Sequence, residues 1–400
     1  MYLFKGKSKI VITCAKGIHP FLRTELQSLG YEVIQEFPAG MEIQGSMKDA
    51  MRLNLVLRTG SRVLYQIAKF RAKGPDELYR EVKKLPWEDI IPVDGYFSIT
   101  SSVINEKIQD TRFANLRCKD AIADRIKAKL GKRPNAGSEL NSSVLFLHWR
   151  NLDCSLYADT SGESLSKRGY RYNPMKAPMT ETLAAAIIMK TAWKGADNFI
   201  NPMCGSGTLA IEALMSALNM ASGIIRRNFG FMHLVGFNKK DWSDLRNDAL
   251  RTVKKEVKGQ IIVSDHDEMC LTAVEENAGY AGVEKYLDYQ LCDFRKCTIP
   301  EGGGVVVLNP EYGKRLGSER ELEDVYGSIG DFFKASCQGY RGFVFSGNME
   351  LAKHVGLKAK SRTVFFNSKI ECRLLEYELY SGTKKYQNNN DTPLKETSDD

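Results

Sequence analysis

One stretch limits the folds open to this chain more than any other: Asn198–Leu214, NFINPMCGSGTLAIEAL. A strand-like run, Asn198–Ile200, meets Gly205-Ser206-Gly207 and then a helix-forming segment, Thr208–Leu218. A strand that turns on glycines straight into a helix is the opening of a β-α-β unit. Glycine lets the backbone approach a ligand closely, and a helix N-terminus presents N–H groups that lack partners within the helix. The turn is not a P-loop, because no Lys-Ser/Thr pair follows at the required spacing. Gly205-x-Gly207-x-x-Ala210 meets a loose dinucleotide pattern. The acid that this pattern wants about 20 residues later is replaced by Ile224-Ile225-Arg226-Arg227, compatible at best with NADP. A purely structural turn is the alternative reading.

Further strand candidates, Gln260–Ser264, Val305–Leu308 and Gly342–Ser346, alternate with helices. That alternation predicts a parallel α/β sheet, whose ligands bind beyond the carboxyl ends of the strands. Three acids or amides stand at such ends. Asp265 follows Ile261–Ser264 and suits the two hydroxyls of a ribose, although Asp265 or Asp267 could equally cap the next helix. Asp293, in LCDFRK, suits the amino edge of an adenine, or is a surface acid. Asn309-Pro310-Glu311-Tyr312 ends the Val305–Leu308 strand, as a ligand pocket or as a turn.

The first 150 residues read differently. Strands are expected at Lys9–Cys14, Tyr96–Val103 and Ser143–His148. Helical periodicity covers His19–Leu29, Ala50–Ile67 and Ala114–Leu130. This mixture predicts a small α+β region ahead of the α/β one. Residues 1–150 hold 25 Lys and Arg against 16 Asp and Glu, a net of +9, whereas residues 151–400 hold 32 against 33, a net of −1. Basic surface attracts phosphate backbones without reading their sequence. The polar, basic run Asp159–Arg171, DTSGESLSKRGYR, marks the change of style. Thr180 is the expected N-cap of a helix that stops at Gly195. Thr363–Phe366 and Lys369–Tyr380 predict an antiparallel hairpin, and the polar end from residue 383 to 400 predicts a disordered tail.

Nine scattered cysteines without a C-x-x-C, and five histidines without paired spacing, argue against a disulfide framework or a metal. No apolar run approaches membrane-spanning length, and the N-terminus has no signal-peptide layout. A cytoplasmic protein is expected.

A glycine turn, a ribose acid, an adenine-edge acid and N-P-x-Y, in that order after successive strands, resemble the class I S-adenosylmethionine-dependent methyltransferases. The blocks DTSGESLSKRGYR, ETLAAAI, NPMCGSGTLAIEAL, DHDEMCLTAVEENA, NPEYGKRLG, SGNMELAKHVGLK and NSKIECRLLEYELY resemble, more closely, the THUMP-containing RNA guanine-N2 methyltransferase family. The resemblance runs from about Lys9 to Tyr380, and the specific motifs lie in its second half. It implies a ferredoxin-like part (1–50), a THUMP RNA-binding domain (51–160) and a Rossmann-like methyltransferase domain (161–382).

The resemblance also implies roles. Asn201, Cys204, Gly205, Ser206, Gly207, Asp265, His266, Asp293 and Asn309 would bind S-adenosylmethionine, with Gly207 leaving room for its methionine portion. Asn309, Pro310 and Tyr312 would act on the exocyclic N2 of a guanine in structured RNA. That RNA would be 23S ribosomal RNA, with transfer RNA as the alternative, and a non-catalytic assembly factor as a reading from another class. Lys167, Arg168 and Arg171 would hold the RNA backbone. Cys204 reads as a packing residue, since amine methylation needs no covalent nucleophile. Two residues depart from the family pattern: Asn201 stands where Asp is usual, and Glu311 replaces the second proline of N-P-P-Y.

Overall fold

The computed structural model describes residues 3–105, 110–175, 179–312 and 319–380. The expected tail, and Gly313–Gly317 of the N-P-E-Y block, lie outside the described residues.

Eight strands from the first 159 residues form one sheet. They are β1 (Lys7–Thr13), β2 (Gln35–Phe37), β3 (Gly40–Ser46), β4 (Arg62–Arg71), β5 (Tyr96–Ile104), β6 (Asn135–Gly137), β7 (Ser143–Arg150) and β8 (Asp153–Asp159). Their spatial order is β2-β3-β1-β4-β8-β7-β5-β6. Helices α1 (His19–Ser28), α2 (Met47–Val56) and α4 (Thr111–Leu130) pack on it, and α3 (Pro75–Lys84) packs on α4. The α+β expectation is met.

The helical reading of Ala50–Ile67 is corrected. Leu57 leaves the helix with φ −65° and ψ 125°. The backbone N–H groups of Arg58 and Thr59 then donate to the buried Glu25 carboxylate at 2.7 and 3.0 Å. From Arg62 the chain pairs with β1 on one side and β8 on the other, and those ladders outweigh the helical period. Because β4 pairs both ways, a single sheet crosses from the first strands to Asp159.

The second sheet contains β9 (Asn198–Pro202), β10 (Ile261–Asp265), β11 (Leu287–Leu291), β12 (Gly304–Leu308), β13 (Tyr340–Ser346), β14 (Ser361–Asn367) and β15 (Ile370–Glu378). Its order is β11-β10-β9-β12-β13-β15-β14. The strands from β9 to β13 run parallel, and β15 and β14 close the edge antiparallel. The connecting helices are α5 (Glu181–Thr191), α6 (Thr208–Ala217), α7 (Lys239–Arg251), α8 (Glu268–Ala281), α9 (Glu319–Ser336) and α10 (Met349–Lys353). Strands β9, β10 and β12 are buried along their whole lengths, as expected for a parallel sheet covered on both faces. Strand order reverses between β9 and β12, which places a ligand crevice at their carboxyl ends.

Local chemistry explains several ends. The hairpin turns at Asn367-Ser368, where Ser368 takes φ +56°. Helix α5 stops at Thr191 with Ala192 left-handed, short of the expected Gly195. Thr180 holds the N-cap position but its hydroxyl bonds no first-turn N–H. No described helix is long and apolar enough to cross a membrane.

Candidate functional site

The turn after β9 is left-handed at Met203 (φ +54°), Gly205 (φ +54°) and Gly207 (φ +77°), and so delivers the chain into α6. The Cys204 N–H donates to the Ser264 carbonyl at 3.1 Å, pinning the turn over the end of β10. The two glycines do different things. A Cβ on Gly205 would meet nothing within 4 Å, whereas one on Gly207 would stand 2.7 Å from Val274 of α8. The expectation that Gly207 makes room for a ligand is therefore corrected: Gly207 admits α8, and the open backbone is at Gly205. Ser206 is buried, and its carbonyl accepts from Asn277 Nδ2 at 3.1 Å.

Asp265 ends β10 and is nearly buried. Its Oδ2 accepts the Gly205 N–H at 3.1 Å and its Oδ1 accepts the Asp267 N–H at 3.2 Å, with His266 Nδ1 3.4 Å away. Asp267 caps α8, accepting the Met269 N–H at 2.9 Å. The choice between the two acids is thus resolved, because Asp265 is free of the capping duty. Asp293 accepts from the Arg295 N–H and Nε at 2.9 and 2.8 Å. The Arg295 guanidinium holds this carboxyl at about 2. Asp265, His266 and Asp293 share a cavity of about 240 Å³ with Met203, Phe294 and Arg295, closed by Asp324, Val325 and Ser328 of α9.

Asn201 and Asn309 stand at the ends of β9 and β12. Asn201 Nδ2 donates to the Val307 carbonyl at 2.9 Å, and its Oδ1 is buried without a partner. Asn309 Oδ1 is likewise buried and unpartnered. Buried acceptors in folded proteins are nearly always satisfied, so two orphans at adjacent strand ends are suited to a ligand's donors. Pro310 is buried and Glu311 exposed. Tyr312 meets Phe345 edge to face at 6.3 Å, and its hydroxyl accepts from Asn367 Nδ2 at 2.9 Å. Burial pushes the phenol up to about 12, so it is neutral at ordinary pH. Burial, then the neighbouring Asp265, pushes the Cys204 thiol well up, which leaves it protonated and a poor nucleophile.

The three expected RNA contacts part company. Lys167 is exposed and pairs with Glu163 at 2.8 Å. Arg168 is a correction: its side chain is 1% exposed and pairs with buried Glu212 at 3.3 Å. It also donates to the carbonyls of Leu57, Arg58 and Leu165. A cation so enclosed cannot reach a phosphate. Arg171 is corrected too, since it is bound to the Met179 carbonyl at 2.6 Å, to Thr208 Oγ1 at 3.1 Å and to Glu181 at 3.5 Å. The polar, basic run Asp159–Arg171 includes the buried Asp159, Thr160, Ser161, Arg168 and Tyr170.

Sequence reasoning missed Asn277 and Asn367. Asn277 ties Ser206 to the backbone of Tyr172 and Asn173, and nothing in its local sequence separates it from an ordinary helix amide.

Comparison with known proteins identifies the family and the fold. The model of the RMKL-like methyltransferase domain matches residues 168–376, that of the RlmL ferredoxin-like domain 9–64, and that of the THUMP domain 72–159. The "Ribosomal RNA large subunit methyltransferase K/L" of Syntrophotalea carbinolica is 37% identical over 93% of this chain and 53% of its own length. The chain therefore spans about half the length of the K/L methyltransferases it matches. A Synechocystis protein, "Putative RNA methyltransferase slr0064", is 33% identical over 92% of this chain and 96% of its own. Among solved structures, SMU.472, "a putative methyltransferase complexed with SAH", superposes with a TM-score of 0.84 at 25% identity, covering 95% of this chain and 99% of that one. A "possible methylase from Clostridium difficile 630" gives 0.84 at 28% identity, covering 95% and 100%. The chain belongs to the RMKL-like methyltransferase family, with an RlmL ferredoxin-like domain and a THUMP domain ahead of the domain that carries the parallel sheet.

Proposed function

We propose that this chain is an S-adenosylmethionine-dependent RNA methyltransferase that modifies the exocyclic N2 of a guanine, in 23S ribosomal RNA. The observation that carries the reading is the buried, unpartnered Asn309 Oδ1, at the same strand end as the fixed ring of Tyr312. An amine donor placed there completes the hydrogen bonding that the protein leaves open.

The residues present fit the cofactor. Asp265 would accept its ribose hydroxyls with oxygens already oriented by the Gly205 and Asp267 N–H groups. Asp293 would accept from the adenine amino edge. Asn201 Oδ1 and the open backbone at Gly205 would receive the methionine portion. When bound, this cofactor supplies a methyl group on a positively charged sulfur.

The protein's own part is positioning and charge stabilisation. Tyr312 gives the extruded base a surface to lie on, because the base must leave its stack to reach the site. Asn309 Oδ1 and the Pro310 carbonyl accept from the amine, aim its lone pair and stabilise the positive charge that develops there. Neither Cys204, whose thiol is kept protonated by burial, nor the neutral phenol of Tyr312 serves as a covalent nucleophile at this step. The basic N-terminal part, net +9 over residues 1–150, would hold the RNA.

Transfer of labelled methyl groups into purified ribosomal and transfer RNAs, followed by nucleoside mapping, tests this reading. N2-methylguanosine in 23S ribosomal RNA is the expected product. Label in transfer RNA alone would select the other substrate. Label on adenine would overturn the guanine assignment. No label from a chain that binds the cofactor would favour the non-catalytic reading. Asn309→Ala should lower the rate about 10²–10³-fold with cofactor affinity intact.

A further inference from the structure

Helix α1 and the loop before it pack on the β14–β15 hairpin, and that hairpin in turn touches Tyr312. Asn367, at the hairpin turn, donates its amide N–H to the Tyr312 hydroxyl at 2.9 Å, and Cys372 Sγ lies 3.8 Å from the same oxygen. Two residues before Asn367, the Phe365 ring meets Phe345 at 6.3 Å, and Phe345 meets Tyr312 at 6.3 Å. The opposite side of Phe365 is stacked on Phe21 of α1, with centroids 5.3 Å apart and planes 18° from parallel. Lys16 Nζ sits over the Phe366 ring at 3.9 Å. Gly17, with φ +84°, brings its backbone so close that a Cβ there would be 3.1 Å from the Phe365 Cα. A continuous run of rings therefore joins the first helix of the chain to the tyrosine of N-P-E-Y.

We infer that Asn367 and Phe21 are positioning residues for Tyr312, so that the N-terminal unit helps hold the ring on which the target base is laid as well as binding RNA. This rests on the function proposed above. The physical reason is rotational freedom. A tyrosine on a strand-end loop turns about two side-chain bonds unless something holds both its edge and its hydroxyl. Phe345 holds the edge, and Asn367 holds the hydroxyl. The hairpin carrying Asn367 is an edge element of its sheet, with β14 paired on one side only. The stack on Phe21 buttresses it there.

The test uses the full chain, saturating cofactor and RNA, and single-turnover methyl transfer. Asn367→Ala and Tyr312→Phe each delete the same hydrogen bond and should each slow transfer about tenfold. Their double variant should be no slower than either single, because one interaction cannot be lost twice. Asn367→Ala should cause no further loss in a Tyr312→Ala background. Phe21→Ala should slow transfer about fivefold with RNA affinity unchanged, and the loss should vanish in the Tyr312→Ala background. Multiplicative losses in either cycle, with an active wild type, overturn this inference and leave the proposed function standing. A Phe21→Ala protein that loses RNA affinity alone overturns the part assigned to α1. No methyl transfer by the wild-type chain into any RNA overturns the proposed function and this inference together.

Discussion

The carboxylate of Asp265, at the end of β10, accepts the backbone N–H of Gly205, sixty residues earlier in the turn after β9, at 3.1 Å. The acid proposed to hold the ribose is thus also a brace for the glycine turn, and one substitution reaches both halves of the proposed cofactor site. Asp265→Ala should weaken cofactor binding by about 2–4 kcal/mol, through lost charge-assisted hydrogen bonds and a looser turn. Calorimetry on the folded variant checks this, and unchanged affinity would remove Asp265 from the site.

Gly205 and Gly207 should separate binding from stability. The Cβ of Gly205→Ala enters open space at a φ of +54°, which an alanine tolerates at a cost of about 1–2 kcal/mol. Its main effect should be obstruction of the cofactor, with a smaller fall in melting temperature than in Gly207→Ala. Gly207→Ala drives a Cβ to 2.7 Å from Val274. At φ +77° it bears the same left-handed cost as Gly205→Ala, and overpacking adds about 1–3 kcal/mol, seen as a larger fall in melting temperature. Equal melting temperatures of the two variants would contradict this division.

Lys167 and Arg168 are adjacent cations with opposite expected phenotypes. Removing one partner from a buried ion pair strands the other, so Arg168→Met should destabilise the fold by about 3–5 kcal/mol. The folded fraction should bind RNA normally. Lys167→Ala should leave stability within about 0.5 kcal/mol. It should lower RNA affinity and reduce the slope of log affinity against log salt by about one. Denaturation curves and salt-dependent RNA titrations decide between these assignments.

Asp293 makes a pH prediction. Its hydrogen bonds from Arg295, more than the pair's charge attraction, hold the folded pKa at about 2, below the ordinary carboxylate range. A depressed acid contributes its stabilisation fully above the unfolded value, and the contribution is lost as pH falls through the folded one. The pair should therefore weaken only below about pH 4. Carboxyl carbon NMR should find the midpoint near 2, and Arg295→Leu should return it to the ordinary range. Between about pH 5 and pH 9 this carboxylate is constantly ionised, and it should impose no pH dependence on cofactor affinity.

The β-α-β turn at Asn198–Leu214, the acid after β10, the amide after β12 and the final hairpin were all legible in the sequence. Each depends on chemistry contained within a few neighbouring residues. Glycines permit positive φ, β-branched runs prefer strands, and an Asn or Asp beside a strand end marks a loop. The order of these motifs along the chain was enough to place them on one parallel sheet with a shared crevice.

Tertiary structure decided the choices that local sequence leaves equal. Asp265 and Asp267 are both within reach of a helix N-terminus, and the fold gives the first-turn N–H of Met269 to Asp267 and the N–H of Gly205, brought from another loop, to Asp265. Lys167 and Arg168 are neighbours of one charge. The carbonyls of Leu57 and Arg58 and the carboxylate of Glu212 enclose the second and leave the first in solvent. Residues 62–67 follow a helical period, yet they are strand because β1 and β8 arrive on both sides. Conformational preference travels with a residue, whereas burial and pairing belong to partners that only the folded chain brings within reach.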